Sequence, residues 1–376
     1  MNVEFFRHNI GSDEIASLVE TLEGVFLTAG PKTKLFEQQL ASYVGAAHGV
    51  GVTSWTSGAF LVLKAWGVGP GDEVIVPAMT FVASANVVCH CGARPVVVDS
   101  ERVTGNIDID QIEEKITPRT KVIIPVHLYG QMVDMKALRA LADRHGIKIL
   151  EDAAHCIEGT RDGYRPGQLG HAACFSFYAT KNIASGEGGA IVTDDAELAE
   201  RLQMYRLHGM SRSAADRYTV KYQHWDMELL GYKANMFDIQ AALLIPQLAR
   251  IDELRNRKEE ICRRYEHAFS AAGIQYPKVL GGSKSARHLF TVWAPPGRRD
   301  EMLASLQGKG IGVAVNFRAI HLLRYYRENY GFQRGDLPVA EEVGDRTITI
   351  PLYAKLTSDE VEYVIDSVIR SYGDLS

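Results

Sequence analysis

A lysine stands between an apolar segment and a glycine-rich turn near the middle of the chain. The apolar residues ACFSF (173–177) precede Lys181, and the run GEGG (186–189) follows it. A lysine held in a protein interior is partly desolvated, which lowers its pKa, and the neutral amine can then attack an aldehyde. This context favours a Schiff-base-forming lysine over the alternative of a solvated side chain before a turn.

An aspartate stands 29 residues earlier, at the end of a predicted strand. Asp152 belongs to EDAAHC (151–156). A buried carboxylate in that position needs a cationic partner, because an unpaired charge in a low dielectric is very costly. The protonated ring nitrogen of a cofactor would supply the partner, and a cap of the next helix is the alternative. His155 either packs against the cofactor, hydrogen-bonds Asp152 or fills the core.

Hydroxyl side chains surround a predicted strand-to-helix turn in GVTSWTSGAFLVLKAWG (51–67). The opening amides of a helix, together with nearby hydroxyls, form a ready phosphate site. Thr56 and Ser57 are placed to donate, and Ser176 offers a third hydroxyl. Plain helix capping is the alternative. Because Walker, GxGxxG and HExxH motifs are absent, we expect no nucleoside triphosphate, dinucleotide or metal site.

The elements that must position these residues alternate between short apolar runs and amphipathic stretches. Strands are predicted at 73–77, 95–99, 121–126, 147–152 and 190–194, and a helix at 134–145 is closed by Gly146. Strand–helix–strand order with nearly all-apolar strands predicts an α/β fold with a mostly parallel sheet covered on both faces. Ligands bind beyond the carboxyl ends of such strands.

The last third of the chain has a different pattern. A long helical pattern starts near residue 244, and it is followed by LFTVWAP, a helix, the predicted strand IGVAVNF (311–317), two short helices, TITIPL and a final helix. Thr357 and Glu360 have capping-box spacing at the start of that helix. We therefore predict a large domain over residues 1–250 and a smaller α+β C-terminal domain over 251–376.

Composition limits the partners. The 376 residues carry a formal net charge of -5, so no global basic field gathers nucleic acid or an anionic membrane. Five cysteines without CxxC pairs favour a reducing compartment. The N-terminus soon becomes charged and lacks the apolar region of a signal peptide. We expect a cytoplasmic protein.

The segments above resemble the DegT/DnrJ/EryC1/StrS family of sugar aminotransferases. The similarity also covers FLTAGP (26–31), GPGDEVIVPAMTFVASANVV (69–88), ITPRTKVIIPVHLYGQMVDM (116–135) and LGYKANMFDIQAALLIPQL (230–248). It implies an aminotransferase of fold type I that depends on pyridoxal 5'-phosphate. In that family Lys181 would form the Schiff base with the cofactor, Asp152 would pair with its pyridine nitrogen, and Phe81 would stack on its ring.

The same resemblance assigns the phosphate contacts and the quaternary structure. It implies that Thr56, Ser57 and Ser176 bind the cofactor phosphate. Asn235 is similar to the asparagine that reaches the phosphate of the neighbouring subunit, which implies a homodimer with shared active sites.

The stretch KGIGVAVNFRAIHLLRYYREN (309–329) is similar to the bacterial branch that aminates a UDP-linked 4-keto-pentose in lipid A modification. The similarity implies that Arg318 and His321 lie near the substrate. The chain departs from that branch at Asn316, where histidine is expected, and at Trp55, where a smaller residue is usual. The departures leave the exact sugar open.

The implied activity is transfer of an amino group from L-glutamate to a nucleotide-linked keto-sugar, with a UDP-4-keto-sugar as the first candidate, in bacterial surface-polysaccharide or lipopolysaccharide biosynthesis. Amination at carbon three of a UDP- or dTDP-3-keto-sugar is an alternative. The related sugar 3-dehydratases carry histidine in place of the lysine, so Lys181 counts against dehydration. A non-catalytic regulator would not need the intact lysine, aspartate and phosphate segments.

Overall fold

The computed structural model describes residues 1–211 and 224–375. Within these ranges, seven strands form a central sheet in the order β1-β8-β7-β5-β4-β2-β3. β8 runs antiparallel to β1 and β7, and the remaining neighbours are parallel. The prediction of a mostly parallel sheet is thus confirmed. The strands of this sheet are β1 (His48–Val52), β2 (Glu73–Pro77), β3 (Arg94–Val98), β4 (Thr120–Ile123), β5 (Lys148–Asp152), β7 (Ala172–Ser176) and β8 (Gly189–Thr193).

Helices cover both faces of the sheet. α5 shows how local sequence fixes their ends, because the Asp134 side chain accepts from the Ala137 N–H and Gly146 closes the helix in the left-handed conformation. The helices of this part are α1 (Ser12–Glu23), α2 (Pro31–Val44), α3 (Trp55–Ala65), α4 (Ala83–His90), α5 (Met135–His145), α6 (Ala196–Tyr205) and α7 (Asp238–Ala249).

The sheet is buried on both faces. Along β2, Val74 and Val76 join one hydrophobic cluster while Ile75 joins another on the opposite face. Successive side chains of a strand point to opposite faces, so a strand buried on both sides is apolar at every position. This explains the continuous apolar runs from which the strands were predicted.

A second core lies in the C-terminal third, around a small antiparallel sheet. Its cluster contains Val292, Ile348 and Val364, and also Val3 from the chain start. The elements here are α8 (Ile251–Ala271), β10 (Phe290–Trp293), α9 (Arg299–Gly308), α10 (Arg324–Tyr330), α11 (Pro338–Arg346), β11 (Thr347–Ile350) and α12 (Ser358–Gly373), together with a two-residue pair of β6 (Thr160–Arg161) and β9 (Ser283–Lys284).

Two predictions about this part were wrong. The helical pattern from residue 244 is not one helix, because it breaks at Arg250 between α7 and α8. IGVAVNF (311–317) is not a strand either. Only Ala314 forms a bridge with β11, while Ile311 bridges Val3. These two bridges lead to different partners, so the segment forms no continuous ladder with a neighbouring strand.

Several residues between Phe317 and β11 pack against the hydrophobic core of the central sheet rather than the second core. Ile320, Tyr326 and Val343 pack in the same cluster as the sheet residues of the N-terminal part. No helix in the described residues is both long and apolar enough to cross a bilayer.

Candidate active site

The two residues predicted to carry the chemistry meet at the carboxyl ends of adjacent strands. Asp152 ends β5 and is in register with Cys174 of the parallel neighbour β7. Lys181 follows β7 by one turn, in which the Lys181 N–H donates to the Tyr178 carbonyl at 2.9 Å. Because carboxyl ends of parallel strands share one edge, the fold brings these distant residues together.

Asp152 is a buried carboxylate, with 5% of its surface exposed. Its Oδ2 accepts from the Ser84 hydroxyl at 2.8 Å, and its Oδ1 accepts from the Ala154 N–H at 3.1 Å. Burial raises the pKa of Asp152, and these hydrogen bonds and the charge of Lys181 oppose the rise. No described cation lies within ion-pair distance, so the carboxylate has capacity for a cationic donor.

The alternative that Asp152 caps a helix does not hold. Residues 153–181 are all described, and no helix begins among them. The Ala154 hydrogen bond stabilises only a local turn.

Lys181 is half-buried, and its amine makes no hydrogen bond or ion pair with a described residue. Burial lowers the pKa of Lys181 to about 8, although the nearby Asp152 carboxylate acts in the opposite direction. A substantial fraction of the amine is therefore neutral near pH 8 and is able to attack a carbonyl carbon.

His155 lies in a buried aromatic group. Its Nδ1 accepts from the Tyr129 N–H at 3.3 Å, and its ring stacks with Phe317 at 5.9 Å between centroids. Burial lowers the pKa of His155 well below its usual value, and the charge of Lys181 adds to the effect. Among the described contacts, His155 makes no hydrogen bond to Asp152.

Phe81 presents an exposed aromatic ring at the same edge, with 57% of its surface accessible. Its ring lies 5.8 Å from that of Phe317. Phe81 precedes α4, whose first turn carries Ser84, so one element positions both the exposed ring and the hydrogen-bond donor to Asp152. A large exposed aromatic side chain is suited to cover a planar ligand.

The hydroxyl segment forms a capped helix start. Ser54 is the N-cap of α3, and its Oγ accepts from the Ser57 N–H at 3.1 Å. The Ser57 Oγ lies within hydrogen-bond distance of Ser54 and Thr53. Ser57 therefore takes part in capping the helix, as the alternative interpretation predicts. Thr56 is half-buried and has no side-chain partner among the described residues.

Ser176 is brought next to this helix start through β8. It pairs with Gly189. A Cβ on Gly189 would lie 2.4 Å from the Ser54 carbonyl carbon and 2.6 Å from the Trp55 nitrogen, so only glycine permits this approach. From the described residues, Ser176 Oγ accepts only a long hydrogen bond, from the Tyr178 N–H at 3.4 Å.

Asn235 lies beside the same region of its own chain. It forms a bridge with Val52 at the end of β1, and its Oδ1 accepts from the Lys233 amine at 2.6 Å. The Asn235 amide nitrogen donates to the Met236 carbonyl at 3.1 Å. Only 4% of the residue is exposed, so within one chain its amide is engaged.

Of the two residues predicted to touch the substrate, the structure leaves only one accessible. Arg318 is exposed, follows Phe317 and has no side-chain partner among residues 1–211 and 224–375. His321 is fully buried, and its Nε2 lies 3.0 Å from a Glu341 carboxylate oxygen. Burial and the Glu341 contact leave the His321 ring without access to a ligand from solvent.

The two residues that differ from the UDP-4-keto-pentose branch, Trp55 and Asn316, lie in different parts of the structure. Trp55 is buried in the core cluster of the sheet. The Asn316 carbonyl accepts a hydrogen bond from the Tyr129 hydroxyl, next to His155. Asn316 therefore belongs to the surroundings of the site, whereas Trp55 supports the base of α3.

Ser84, His288 and Phe317 were missed by sequence reasoning. Ser84 had a weak signal, because it stands three residues after Phe81, between two predicted strands. His288, whose ring lies 4.5 Å from that of His155, and Phe317 come from the C-terminal third, and nothing in their local sequence indicates the contact.

These residues suit pyridoxal phosphate. The cofactor brings an aldehyde, a flat ring, a basic ring nitrogen and a phosphate. Lys181 offers an amine with a lowered pKa, Phe81 an exposed ring and Asp152 a buried carboxylate that has no ion-pair partner in the described part of the chain. The start of α3 offers amides and, at Thr56, a hydroxyl that bonds no side chain of residues 1–211 or 224–375.

Comparisons with known proteins agree with this chemistry. The model of the DegT/DnrJ/EryC1/StrS aminotransferase family matches residues 8–369. The spore coat polysaccharide biosynthesis protein SpsC of Bacillus subtilis (strain 168) is 44% identical over 366 residues, covering 96% of this chain and 94% of the relative.

Solved structures extend the likeness to the whole chain. The putative sugar aminotransferase Spr1654 from Streptococcus pneumoniae, in its PMP-form, has a TM-score of 0.95 at 34% identity and covers 100% of both chains. Helicobacter pylori PseC, an aminotransferase involved in the biosynthesis of pseudoaminic acid, has a TM-score of 0.93 at 27% identity, again over 100% of both chains. The chain therefore belongs to the DegT/DnrJ/EryC1/StrS aminotransferase family and is a pyridoxal-phosphate-dependent sugar aminotransferase of fold type I.

Proposed function

We propose that this enzyme transfers the amino group of L-glutamate to the keto carbon of a nucleotide-linked sugar, with a UDP-linked 4-keto-sugar as the first candidate. Glutamate leaves as 2-oxoglutarate, and the sugar carbonyl becomes an amine. The observation that carries the proposal is the Lys181 amine, with a pKa of about 8, beside the buried Asp152 carboxylate at one sheet edge.

Bound pyridoxal phosphate supplies an electron sink for the carbon that gains or loses a proton. Lys181 would hold the cofactor covalently, and its amine, once freed from the cofactor, would carry the proton to and from the reacting carbon. Asp152 would hold a proton on the ring nitrogen. Phe81 would cover the ring, and His155 would pack near it as a neutral imidazole.

The phosphate contacts are proposed from the start of α3. Thr56 and Ser57 lie in its first turn, and Ser176 pairs with Gly189, which closely approaches Ser54. The amides of the first helical turn add donors and a favourable dipole. The positions of these hydroxyls support the proposal. The Ser57 hydroxyl makes capping contacts in this structure, and it must exchange them for a phosphate oxygen when the cofactor binds.

The nucleotide contact is proposed for Arg318. A nucleotide diphosphate carries about two negative charges, and a protein of net charge -5 must meet them with local donors. Arg318 is an exposed cation without a side-chain partner in the described residues, and it follows Phe317, which stacks near His155. Arg324, by contrast, already pairs with Glu328 at 2.7 Å.

Arg318→Ala is expected to raise KM for the sugar nucleotide about ten- to hundredfold, because a charged hydrogen bond contributes roughly 1.5–3 kcal/mol. KM for glutamate is expected to change little. Steady-state kinetics with both substrates varied will separate the effects, and Arg324→Ala serves as the matched control. A selective loss of glutamate binding would instead assign Arg318 to the donor carboxylate.

The substrate itself is tested with a panel of UDP-, dTDP- and GDP-linked 4-keto- and 3-keto-sugars, each with L-glutamate. Formation of 2-oxoglutarate reports turnover, and NMR of the product identifies the carbon that carries nitrogen. Preferred use of a 3-keto-sugar or of a dTDP or GDP carrier would replace the UDP-4-keto assignment with the alternative. No turnover with any keto-sugar would contradict the proposed substrate class.

We propose a homodimer with shared active sites. On α1, Ile15, Val19 and Leu22 are each about half exposed and follow one face of the helix. Val25 and Leu230 are still more exposed. Patches of exposed large apolar residues are typical of protein interfaces, and a second copy of the chain is the occupant that the family resemblance supports.

Mixing inactive Lys181→Ala protein with Asn235→Ala protein is expected to restore activity if Asn235 serves the partner's site. In a hybrid dimer, one site then combines an intact lysine with an intact asparagine, which gives up to roughly a quarter of wild-type activity after random exchange. Activity is measured after mixing and chain exchange, with each variant alone as control. If Asn235 serves its own chain, both hybrid sites stay defective and no activity returns.

The biological setting is proposed from the relatives. SpsC is named for spore coat polysaccharide biosynthesis and PseC for pseudoaminic acid biosynthesis. We place this enzyme in bacterial surface-polysaccharide synthesis, with lipopolysaccharide as one target. A cytoplasmic location fits the expected use of nucleotide sugars.

A further inference from the structure

A buried ion pair lies behind the Lys181 turn. Glu158 follows β5 and is fully buried, and Lys258 on α8 has only 4% of its surface exposed. Their charged atoms are 3.7 Å apart. Two charges are rarely withdrawn from water unless further hydrogen bonds satisfy them. Lys258 also donates to the Ala286 carbonyl at 3.3 Å.

Asn182, the residue after Lys181, connects this pair to a histidine. Its Nδ2 donates to the two Glu158 carboxylate oxygens at 2.8 and 2.6 Å and to the Ala286 carbonyl at 3.0 Å. All three partners are acceptors, so the amide orientation is fixed. The Asn182 Oδ1 must then be the acceptor that lies 3.2 Å from His288 Nδ1. It follows that Nδ1 of His288 carries the proton.

His288 lies beside His155 and close enough to Lys181 for their charges to interact. Its ring centroid is 4.5 Å from that of His155, whose own Nδ1 accepts from the Tyr129 N–H. Burial lowers the pKa of His288 well below its usual value, and a positive charge on Lys181, His155 or Lys258 acts in the same direction. A proton added to His288 would place a second cation beside Lys181.

We propose that Asn182, Glu158 and Lys258 form a buried positioning network that fixes His288 as a neutral imidazole protonated on Nδ1 and so keeps a cation away from Lys181. The inference rests on the proposed function, because it assigns these residues to the surroundings of the cofactor-binding lysine. The neutral Oδ1 of Asn182 is central, since an anionic acceptor in its place would favour the imidazolium.

The network can be tested by exchanging its donor and acceptor. Asn182→Asp places two carboxylates at hydrogen-bond distance, and Glu158→Gln leaves Lys258 without its counter-charge. The double variant N182D/E158Q restores one carboxylate, one amide and the original net charge. Both single variants are expected to lower Tm by several degrees, and the double variant to recover most of that loss. Glu260→Gln, in an exposed pair with Arg257 on the same helix, is the control.

Two spectroscopic measurements report on His288 and Lys181. In wild type, 15N-histidine NMR is expected to show His288 neutral and protonated on Nδ1 from pH 6 to 9. In the double variant His288 sits beside a carboxylate, so it is expected to gain a proton within that range. The visible band of the lysine-bound cofactor should then titrate about one pH unit lower, because the imidazolium adds a positive charge.

The outcomes separate this inference from the proposed function. A wild-type His288 protonated on Nε2 would overturn the network, and that measurement needs no variant. An unchanged titration of the visible band in a double variant with charged His288 would overturn the link to Lys181. Absence of any visible band in wild-type protein with pyridoxal phosphate would contradict the proposed function instead.

Discussion

Lys181→Ala protein is expected to lose the visible absorbance of the lysine-bound cofactor and to lose turnover by at least about a thousandfold, because it removes both the nucleophile and the proton carrier. Weak cofactor binding should remain, since Phe81, Asp152 and the helix start of α3 are unchanged. Absorbance spectra and kcat with saturating cofactor measure the two effects.

Covalent attachment can be located directly. Borohydride reduction of the loaded protein followed by peptide mapping should place the label on Lys181. Lys148→Ala is a suitable control, because Lys148 begins β5, at the end of that strand opposite Asp152, and its amine lies over the Trp66 ring. A label on Lys148 or Lys233 would show that the assignment is wrong.

The pKa of Lys181 sets the pH dependence of cofactor capture. A lysine is reactive when neutral, and the pKa of Lys181 is about 8. The rate at which cofactor-free protein captures pyridoxal phosphate should rise about tenfold per pH unit below that value and level off above it. A rate still rising steeply at pH 9 would indicate an unperturbed lysine.

The central sheet was predictable because its signal is local. Strands buried on both faces are apolar at each position, so EVIVP matches β2 without any knowledge of its neighbours. Carboxyl ends of parallel strands also share an edge, and that rule connects Asp152 with Lys181 before any coordinates are known. Two features could not be predicted in this way: the helix break at Arg250 and the irregular backbone of 311–317. Both depend on how the core of the central sheet packs against the core of the C-terminal third.

The rest of the site is non-local. Ser84 has only a weak signal in the sequence, and His288 and Phe317 approach His155 only after the chain has folded and are unremarkable in their own segments. His321 shows the opposite case, because similarity suggested a substrate contact while its buried partner Glu341 could not be inferred. Side-chain direction after an irregular segment is set by packing, which periodicity does not encode.

Asp152→Asn is expected to separate function from stability. The change preserves the shape of a side chain that is 5% exposed and removes its charge. The raised pKa of Asp152 means that the ionised form is disfavoured by burial when no cationic partner is bound. Cofactor-free Asp152→Asn protein should therefore be at least as stable as wild type, because an unpaired buried carboxylate is costly.

The activity of Asp152→Asn protein, in contrast, should fall. Without the carboxylate, nothing holds the proton on the ring nitrogen, and loss of one charge-assisted hydrogen bond of roughly 1.5–3 kcal/mol lowers kcat about ten- to hundredfold. KM for the sugar should change much less, since Asp152 contacts no substrate. Near-normal kcat would show that Asp152 only shapes the turn at Ala154.

Asp238→Asn provides the matched control for this comparison. Asp238 is also buried, but its carboxylate accepts hydrogen bonds from the Gly30, Lys32 and Thr33 amides. These hydrogen bonds stabilise its negative charge. Its substitution should lower Tm of the cofactor-free protein while kcat of the folded fraction stays close to wild type. Opposite responses of the two aspartates, one in kcat and one in Tm, distinguish a cofactor partner from a structural carboxylate.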